Sequence, residues 1–166
     1  MAEDLLLAKA EKKAYRLLAL RAHSEKELRA KLRQGGFAES VIARVVERCR
    51  GLGYLNDGNY ARQRVRELAV NRLAGNRRIA FDLRERGIPE ELSREVIGEI
   101  RGEISEEEAI GRLIRKKVKG MAVAVMDNRQ KARLARSLMG KGFPAGLIFK
   151  KLKGSEGEEV HDDDGE

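Results

Sequence analysis

A motif that recurs three times constrains the fold of this chain more than any other feature. Each copy consists of Leu, three residues, Gly, an apolar residue, three further residues and a second apolar position. The copies cover residues 32–42, 83–93 and 138–148, and their glycines are Gly36, Gly87 and Gly142. These glycines are 51 and 55 residues apart, which predicts a repeated unit the size of three helices.

The motif predicts a helix that ends at glycine and a second helix that begins a few residues later. Glycine adopts the left-handed backbone conformation at low cost, and the apolar residue after it packs back over the last turn. Pro89 and Pro144 fall where the first turn of the next helix tolerates a missing N–H. The closing helix of the third repeat is predicted to end near Lys153. One face of the second repeat's closing helix is formed by Leu92, Val96, Ile97 and Ile100.

A longer amphipathic helix is predicted before each of these helix pairs, at roughly residues 4–22, 57–73 and 105–118. Residues 120–126, Gly-Met-Ala-Val-Ala-Val-Met, are assigned to a linker, although their apolar run also suits a covered loop, a helix extension or a short strand. The predicted N-terminal caps are the capping boxes Ser24 with Glu27 and Ser105 with Glu108, and either Asn56 or Asp57.

The composition favours an all-α fold, because two prolines, no tryptophan and few aromatic residues leave mostly helix-forming side chains. We predict three tandem three-helix, helix-turn-helix-like repeats over residues 1–55, 56–104 and 105–153. A disordered acidic tail is predicted over residues 154–166. Because a repeat of about 50 residues has a small core, neighbouring repeats are expected to share interfaces in an elongated, monomeric array.

The charge of the chain is strongly uneven. The formal net charge is +8, but residues 154–166 hold seven acidic residues and no Lys or Arg, so that the remainder carries +15. Such a surface attracts a nucleic acid or an acidic protein face, although solubility is the simpler alternative. A further hypothesis is that the tail folds over the basic body and weakens polyanion binding at low salt, which deletion of residues 155–166 would test.

No arrangement of residues indicates a catalytic or metal site. Cys49 lies on an apolar helix stripe, which favours a buried structural thiol, and His23 directly precedes a helix cap. Residues 106–108 are acidic because they open a helix, and residues 162–164 belong to the tail. We therefore expect a protein that is not an enzyme and has no cofactor or metal. The single cysteine, the acidic chain start and the lack of a long apolar run favour a cytoplasmic protein without a membrane span.

Clustered basic residues are the best candidates for a functional surface. Arg77 and Arg84 are seven positions apart on one predicted helix and therefore lie near one side of it. Aromatic residues make up only 4% of the chain, so that contacts to a nucleic acid should involve the backbone, depend on salt and lack sequence readout. A merely solvated face remains the alternative. The candidate contacts to DNA or to a filament on DNA are Arg77, Arg78, Arg84, Arg86, Lys116, Lys117, Lys131, Arg133 and Arg136.

Two stretches of the sequence resemble the RecX family, whose members regulate the RecA recombinase. The first is Arg-Ala-His-Ser-Glu-Lys-Glu-Leu at residues 21–28, continuing through Lys31 and Leu32 to Gly36 and Phe37. The second is Gly-Tyr-Leu-Asn-Asp-Gly-Asn-Tyr-Ala at residues 53–61. With the three glycine motifs, the resemblance extends over residues 14–153, and it departs in the acidic tail and in residues 120–126.

The resemblance implies a modular array of three-helix repeats that binds RecA filaments on single-stranded DNA. Members of the family lie in the groove of the filament, reduce ATP hydrolysis and strand exchange by RecA, and so temper recombination, repair and the SOS response. The family carries no catalytic residues. If this applies here, Arg77→Glu combined with Arg84→Glu should reduce filament inhibition and leave the helix content intact.

Two other classes of protein fit the same sequence features. A tandem helix-turn-helix transcription regulator also has three-helix units with glycine-containing turns, but it would prefer particular duplex sequences. A structural adaptor would bind protein without DNA. A plain duplex competitor separates the transcription regulator from a filament modulator, because only the regulator selects base sequences.

Overall fold

The computed structural model describes residues 1–157, which contain nine α-helices and no strand. The predicted all-α fold is therefore confirmed, whereas most of the acidic tail, residues 158–166, lies outside the described residues. The helices are α1 (Ala2–Leu20), α2 (Glu25–Gln34), α3 (Glu39–Gly51), α4 (Asp57–Arg66), α5 (Asn76–Glu85), α6 (Glu90–Arg101), α7 (Glu106–Val118), α8 (Asn128–Gly140) and α9 (Ala145–Gly157).

The glycine motif forms the same helix end in all three repeats. Gly36, Gly87 and Gly142 have φ values of 84°, 78° and 95°, in the left-handed region that favours glycine. The next N–H donates to the carbonyl of the motif's leucine each time, so that the apolar side chain folds back over the helix. These hydrogen bonds join Phe37 to Leu32 at 3.4 Å, Ile88 to Leu83 at 3.0 Å and Phe143 to Leu138 at 3.4 Å.

The helix starts follow the predicted caps with one change. Ser24 and Glu27 form the expected reciprocal capping box at the start of α2. Ser105 accepts from the N–H of Glu108 at 3.0 Å, but the Glu108 carboxylate accepts from Arg112 one turn further along. At α4 the capping residue is Asn56, whose Oδ1 accepts from the N–H of Asn59 at 3.0 Å.

One predicted helix end is wrong, and the residues assigned to a linker contain one short turn. The third closing helix, α9, continues to Gly157 instead of ending near Lys153, so that it overlaps the first residues of the segment predicted as a tail. The helix predicted at roughly residues 57–73 is formed by α4 and a single π turn, Glu67–Asn71, that directly follows it. It ends before Leu73, which has a φ of 52°. Residues 120–126 form a linker with one 3-10 turn, Val123–Val125, whose first valine is buried.

The chain folds into two compact units. The first unit comprises Met1–Arg64 and Asp82–Val96, and the second comprises Val65–Phe81 and the chain from Ile97 onward. Cys49 is fully buried in the core of the first unit, where burial raises the pKa of its thiol, as expected for a structural cysteine. That core contains Ala10, Ala14, Leu28, Leu32, Val41, Ile42, Val45, Val46, Cys49 and Leu55. The fully buried residues of the second unit include Val65, Ile79, Ile110, Leu138 and Ile148.

Candidate nucleic-acid interface

In each unit, the beginning of a second helix of one repeat contacts the glycine turn of the next repeat. In the first unit, Lys26 Nζ donates to the Glu85 carbonyl at 3.0 Å, and a Cβ at Gly87 would lie 2.6 Å from the Lys26 Cβ. In the second unit, a Cβ at Gly142 would lie 2.5 Å from the backbone nitrogen of Arg78. Glycine at these turns therefore serves both the left-handed helix end and the close approach of the neighbouring helix.

A second recurring contact fixes the correspondence between the repeats. The N–H of Glu25, the first residue of α2, donates to Oδ1 of Asp57 at 2.9 Å. The N–H of Asn76, the first residue of α5, donates to Oε1 of Glu106 at 2.8 Å. An acidic side chain that opens the next repeat thus satisfies a helix N–H that has no partner within its own helix.

Four residues of the first unit can be paired with equivalent residues of the second unit, by their distance along the chain from these contacts and from the glycine turns. Glu27 in the first repeat corresponds to Arg78 in the second, because each is the third residue of its helix. Arg86 corresponds to Lys141, because each directly precedes the glycine of its turn. By the same count, the pairs are Glu27 with Arg78, Arg86 with Lys141, Asp82 with Ser137, and Leu83 with Leu138.

In the first unit these positions form a charge-balanced network. Arg86 Nη1 donates to Oε1 of Glu27 at 2.6 Å and to the hydroxyl of Tyr60 at 2.8 Å, and its Nε donates to Asp82 at 2.8 Å. Arg64 donates to both oxygens of Asp82, at 2.7 and 2.8 Å. The side chains of Glu27, Asp82 and Arg86 are only 18%, 20% and 29% exposed, so that solvent screens these pairs weakly.

The network holds its carboxylates in the charged form. Burial alone would raise the pKa of Asp82, but hydrogen bonds from Arg64 and Arg86 outweigh it and lower the pKa. Burial likewise opposes the charge of Glu27, and hydrogen bonds from Arg21 and Tyr60 lower its pKa below the ordinary value. Arg86 is therefore neutralised inside the protein.

In the second unit, two of the corresponding residues, Arg78 and Lys141, are cations. Together with Lys116 and Lys117 of α7 they form what we call the basic cluster. Arg78 Nη1 donates to the Gly140 carbonyl at 3.4 Å, and Lys117 donates to Oγ of Ser137. Lys141 Nζ donates to the carbonyl of Arg72 at 3.3 Å. Burial, followed by the positive charges of Arg78, Lys117 and Lys116, lowers the pKa of Lys141. The charges that act on this lysine are all cations, so that the cluster has a positive local potential.

The structure separates the sequence candidates into groups. Arg86 lies in the network of the first unit, where its guanidinium donates to Glu27 and Asp82. Lys131 is half-buried. Sequence analysis missed Lys141, although its place before the motif glycine, equivalent to that of Arg86, was a visible signal. The remaining candidates are exposed: Arg77, Arg78, Arg84, Lys116, Lys117, Arg133 and Arg136.

Residues 1–157 contain no arrangement that suggests metal chemistry or a membrane span. Within that range, no three His, Cys, Asp or Glu side chains are grouped so as to hold a metal ion, and the predicted Asp162–Asp164 cluster lies outside it. His23 is buried, and its Nδ1 lies 3.0 Å from the Arg21 carbonyl, next to the cap at Ser24. None of the helices described is long and apolar enough to cross a bilayer.

Known proteins share both the sequence and the fold of this chain. Family models of the first, second and third three-helix domains of RecX match residues 10–49, 56–97 and 105–152. A Regulatory protein RecX from Thermus thermophilus is 37% identical over 147 residues, which cover 87% of this chain and 92% of that protein. Another, from Syntrophotalea carbinolica, is 31% identical over 137 residues, with coverage of 82% and 90%.

The crystal structure of RecX from Lactobacillus salivarius has the same fold, with a TM-score of 0.79 at 22% identity over 94% of this chain and 99% of that one. The family models match one repeat after another, in order, and leave only short segments between them. This chain, with three tandem three-helix domains joined through glycine turns, belongs to the RecX family of regulatory proteins.

Proposed function

We propose that this protein is a non-enzymatic regulator that binds RecA filaments on single-stranded DNA and inhibits RecA. It lowers ATP hydrolysis and strand exchange by the recombinase, and through them it modulates DNA repair and the SOS response. Membership in a family of regulatory proteins supports the proposal. The observation that carries it is the basic cluster of the second unit, where four cations meet on a surface suited to the phosphates of a DNA-bound filament.

The proposed contacts to the filament and its DNA are the exposed candidates of the second and third repeats: Arg77, Arg78, Arg84, Lys116, Lys117, Arg133 and Arg136. A phosphate contact attracts the partner at long range and is sensitive to salt, but it carries no sequence information. The second and third repeats each add a few such contacts, and contacts that belong to one chain act at high effective concentration. We therefore expect strong binding from individually weak contacts, and a large loss when the contacts of one repeat are removed.

The test is ATP hydrolysis by RecA on single-stranded DNA, with this protein added from substoichiometric to equimolar ratios at two salt concentrations. We expect hydrolysis to fall at low ratios and the inhibition to weaken as salt rises. Arg77→Glu with Arg84→Glu should weaken inhibition, whereas Lys9→Glu with Lys12→Glu, which introduces the same change of charge on α1, serves as the control.

An unchanged rate of hydrolysis at every ratio, with a folded helical protein, contradicts the proposal. A marked preference for one duplex sequence over others would then favour the tandem helix-turn-helix regulator. Equal inhibition by the two double variants would leave the proposed function in place but would refute Arg77 and Arg84 as contacts.

A further inference from the structure

The two acidic positions that face a cation in the first unit are not acidic in the second unit. In the first unit, Arg86 is faced by the carboxylates of Glu27 and Asp82. In the second unit, the residue at the position of Arg86 is Lys141, but the two acidic positions are occupied by Arg78 and Ser137. The backbone arrangement of the repeat is retained, but the two carboxylates are replaced, that of Glu27 by the cation of Arg78 and that of Asp82 by the neutral hydroxyl of Ser137.

As a consequence, Lys141 is a cation that still has N–H donors available for a ligand. The ammonium group of Lys141 has three N–H donors, one of which is directed to the Arg72 carbonyl. Lys141 is half-buried and lies within the field of Arg78, Lys117 and Lys116, so that water compensates its charge only in part. An anion at this point would accept the remaining hydrogen bonds and offset the mutual repulsion of the four cations.

The surface next to the cluster extends its cationic character. Lys117 and Ser137 also line a depression in the second unit, together with Arg133, Val118 and Leu134. Arg133 lies nine residues before Gly142, as Arg78 lies nine residues before Gly87. A linear polyanion that binds Lys141 therefore finds a further cation along the same surface.

We propose that the basic cluster, centred on Lys141, binds consecutive phosphates in the backbone of a single-stranded nucleic acid. The proposal deepens the proposed function, on which its choice of partner rests. A phosphodiester chain carries its charges at short, regular intervals, which suits several cations gathered on one surface. Because aromatic residues are scarce in the chain, recognition involves the backbone and not the stacking of bases.

The test measures binding to nucleic acid with RecA absent. Fluorescence anisotropy of a labelled 30-nucleotide poly-dT reports the affinity of the full chain over a series of salt concentrations. Lys117→Gln with Lys141→Gln should lower the affinity about tenfold or more at low salt, and it should reduce the slope of log K against log salt by about 1.4, at about 0.7 per lost phosphate contact. Lys141→Arg, which keeps the charge, should bind within about twofold of the wild type.

The matched control is Lys9→Gln with Lys12→Gln, which removes two exposed charges from α1 in the first unit. It should change the affinity less than about twofold, since only long-range attraction is affected. Equal losses in the control and cluster variants, with far-ultraviolet circular dichroism showing both folded, would overturn the site. Displacement by polyglutamate as readily as by unlabelled poly-dT would overturn the assignment to phosphates and favour an acidic protein face.

The same variants distinguish failure of this site from failure of the proposed function. If the cluster variant loses poly-dT binding and the wild type still leaves RecA hydrolysis unchanged, the phosphate site stands without the regulatory role. If the cluster variant binds poly-dT like the wild type while the wild type inhibits RecA, the regulatory role stands and this site is refuted.

Discussion

Arg86 and Lys141 occupy the same place in consecutive repeats, one residue before the glycine that ends a helix, but their surroundings differ in charge. In the first unit, Arg86 binds two carboxylates and a tyrosine hydroxyl. In the second unit, Lys141 donates to a backbone carbonyl and is surrounded by cations that, together with burial, lower its pKa. The backbone frame around the two residues is the same, as the hydrogen bonds of Ile88 and Phe143 demonstrate.

The difference teaches that a repeat architecture separates geometry from charge. The helix end, the close approach at glycine and the acidic cap of the next repeat recur in both units, so they define how repeats join. The side chains around that frame are then available for different purposes. Balanced charges in the first unit stabilise the fold, whereas the unbalanced charges in the second unit are those that we propose to bind phosphates, at the expense of local stability.

The largest expected effect comes from breaking the shared frame itself. Gly142→Ala places a Cβ 2.5 Å from the backbone nitrogen of Arg78 and strains a φ of 95°, so that we expect a loss of about 3 kcal/mol or more in the free energy of unfolding. Gly87→Ala meets the Lys26 side chain instead and should cost less. Gly36→Ala, with a φ of 84° and no neighbouring atom within 4 Å, should cost only about 1 kcal/mol.

Urea unfolding monitored by circular dichroism measures all three glycine variants. The order Gly142→Ala, Gly87→Ala, Gly36→Ala, from most to least destabilising, is the prediction. Equal losses would mean that the left-handed backbone alone requires glycine and that the close approach of the neighbouring helix has no energetic consequence.

The sequence contains enough information for this frame because backbone requirements leave a local signature. Leucine, glycine and the following apolar residue are tied to one hydrogen-bond pattern, and that pattern appears in all three repeats. The capping box at Ser24 is predictable for the same reason, since its partner is three residues away. The continuation of α9 to Gly157 was missed because glycine and acidic residues after Lys153 favour a tail when the packing of the helix is unknown.

The charge contrast between the units was not predictable from the clusters of basic residues. Arg86 and Lys141 look alike in the sequence, and their partners Glu27 and Arg78 are distant along the chain. Only the contact between the start of one helix and the turn of another reveals which cation has a carboxylate partner. An alignment of the repeats on their motif glycines would have shown that Glu27 and Arg78 are equivalent, which a search for clusters of basic residues does not show.

Two matched substitutions test the contrast directly. Arg86→Met leaves Glu27 and Asp82 without one of their cations, and we expect a loss of about 2 kcal/mol in the free energy of unfolding. Lys141→Met removes a cation from among cations and should leave the free energy of unfolding unchanged or slightly higher. Urea unfolding measures both, and a comparable loss in the two variants would show that Lys141 is a structural residue.

A smaller effect is expected in the pH dependence of stability. Because the pKa of Glu27 is lower in the folded protein than its ordinary value of 4.5, its charge stabilises the fold above that pH. The stabilisation is lost as the pH falls through the folded pKa. Glu27→Gln should therefore destabilise the protein by about 1 kcal/mol at pH 7 and by progressively less below about pH 4.5.

Urea titrations of the wild type and of Glu27→Gln at several pH values between 3 and 7 give this difference. Lys141→Gln is the reference variant, because an ammonium group does not titrate in that range and its difference from the wild type should stay constant. A difference for Glu27→Gln that does not change with pH would contradict the assignment of a stabilising charge to this carboxylate.

The smallest effect is expected from an ion pair of the second unit whose N–O distance is as short as those in the network of the first unit but whose side chains are more exposed. Arg66 Nη2 lies 2.6 Å from Oε1 of Glu103, but both side chains are about half exposed, so that water screens the pair and replaces its partners. Glu103→Gln should therefore leave the urea midpoint unchanged within error, in contrast to Asp82→Asn, which weakens the partly buried pairs of Asp82 with Arg64 and Arg86. A clear loss in Glu103→Gln would mean that short ion pairs stabilise both units alike, and the distinction between a balanced first unit and a second unit with unbalanced charge would then rest on the basic cluster alone.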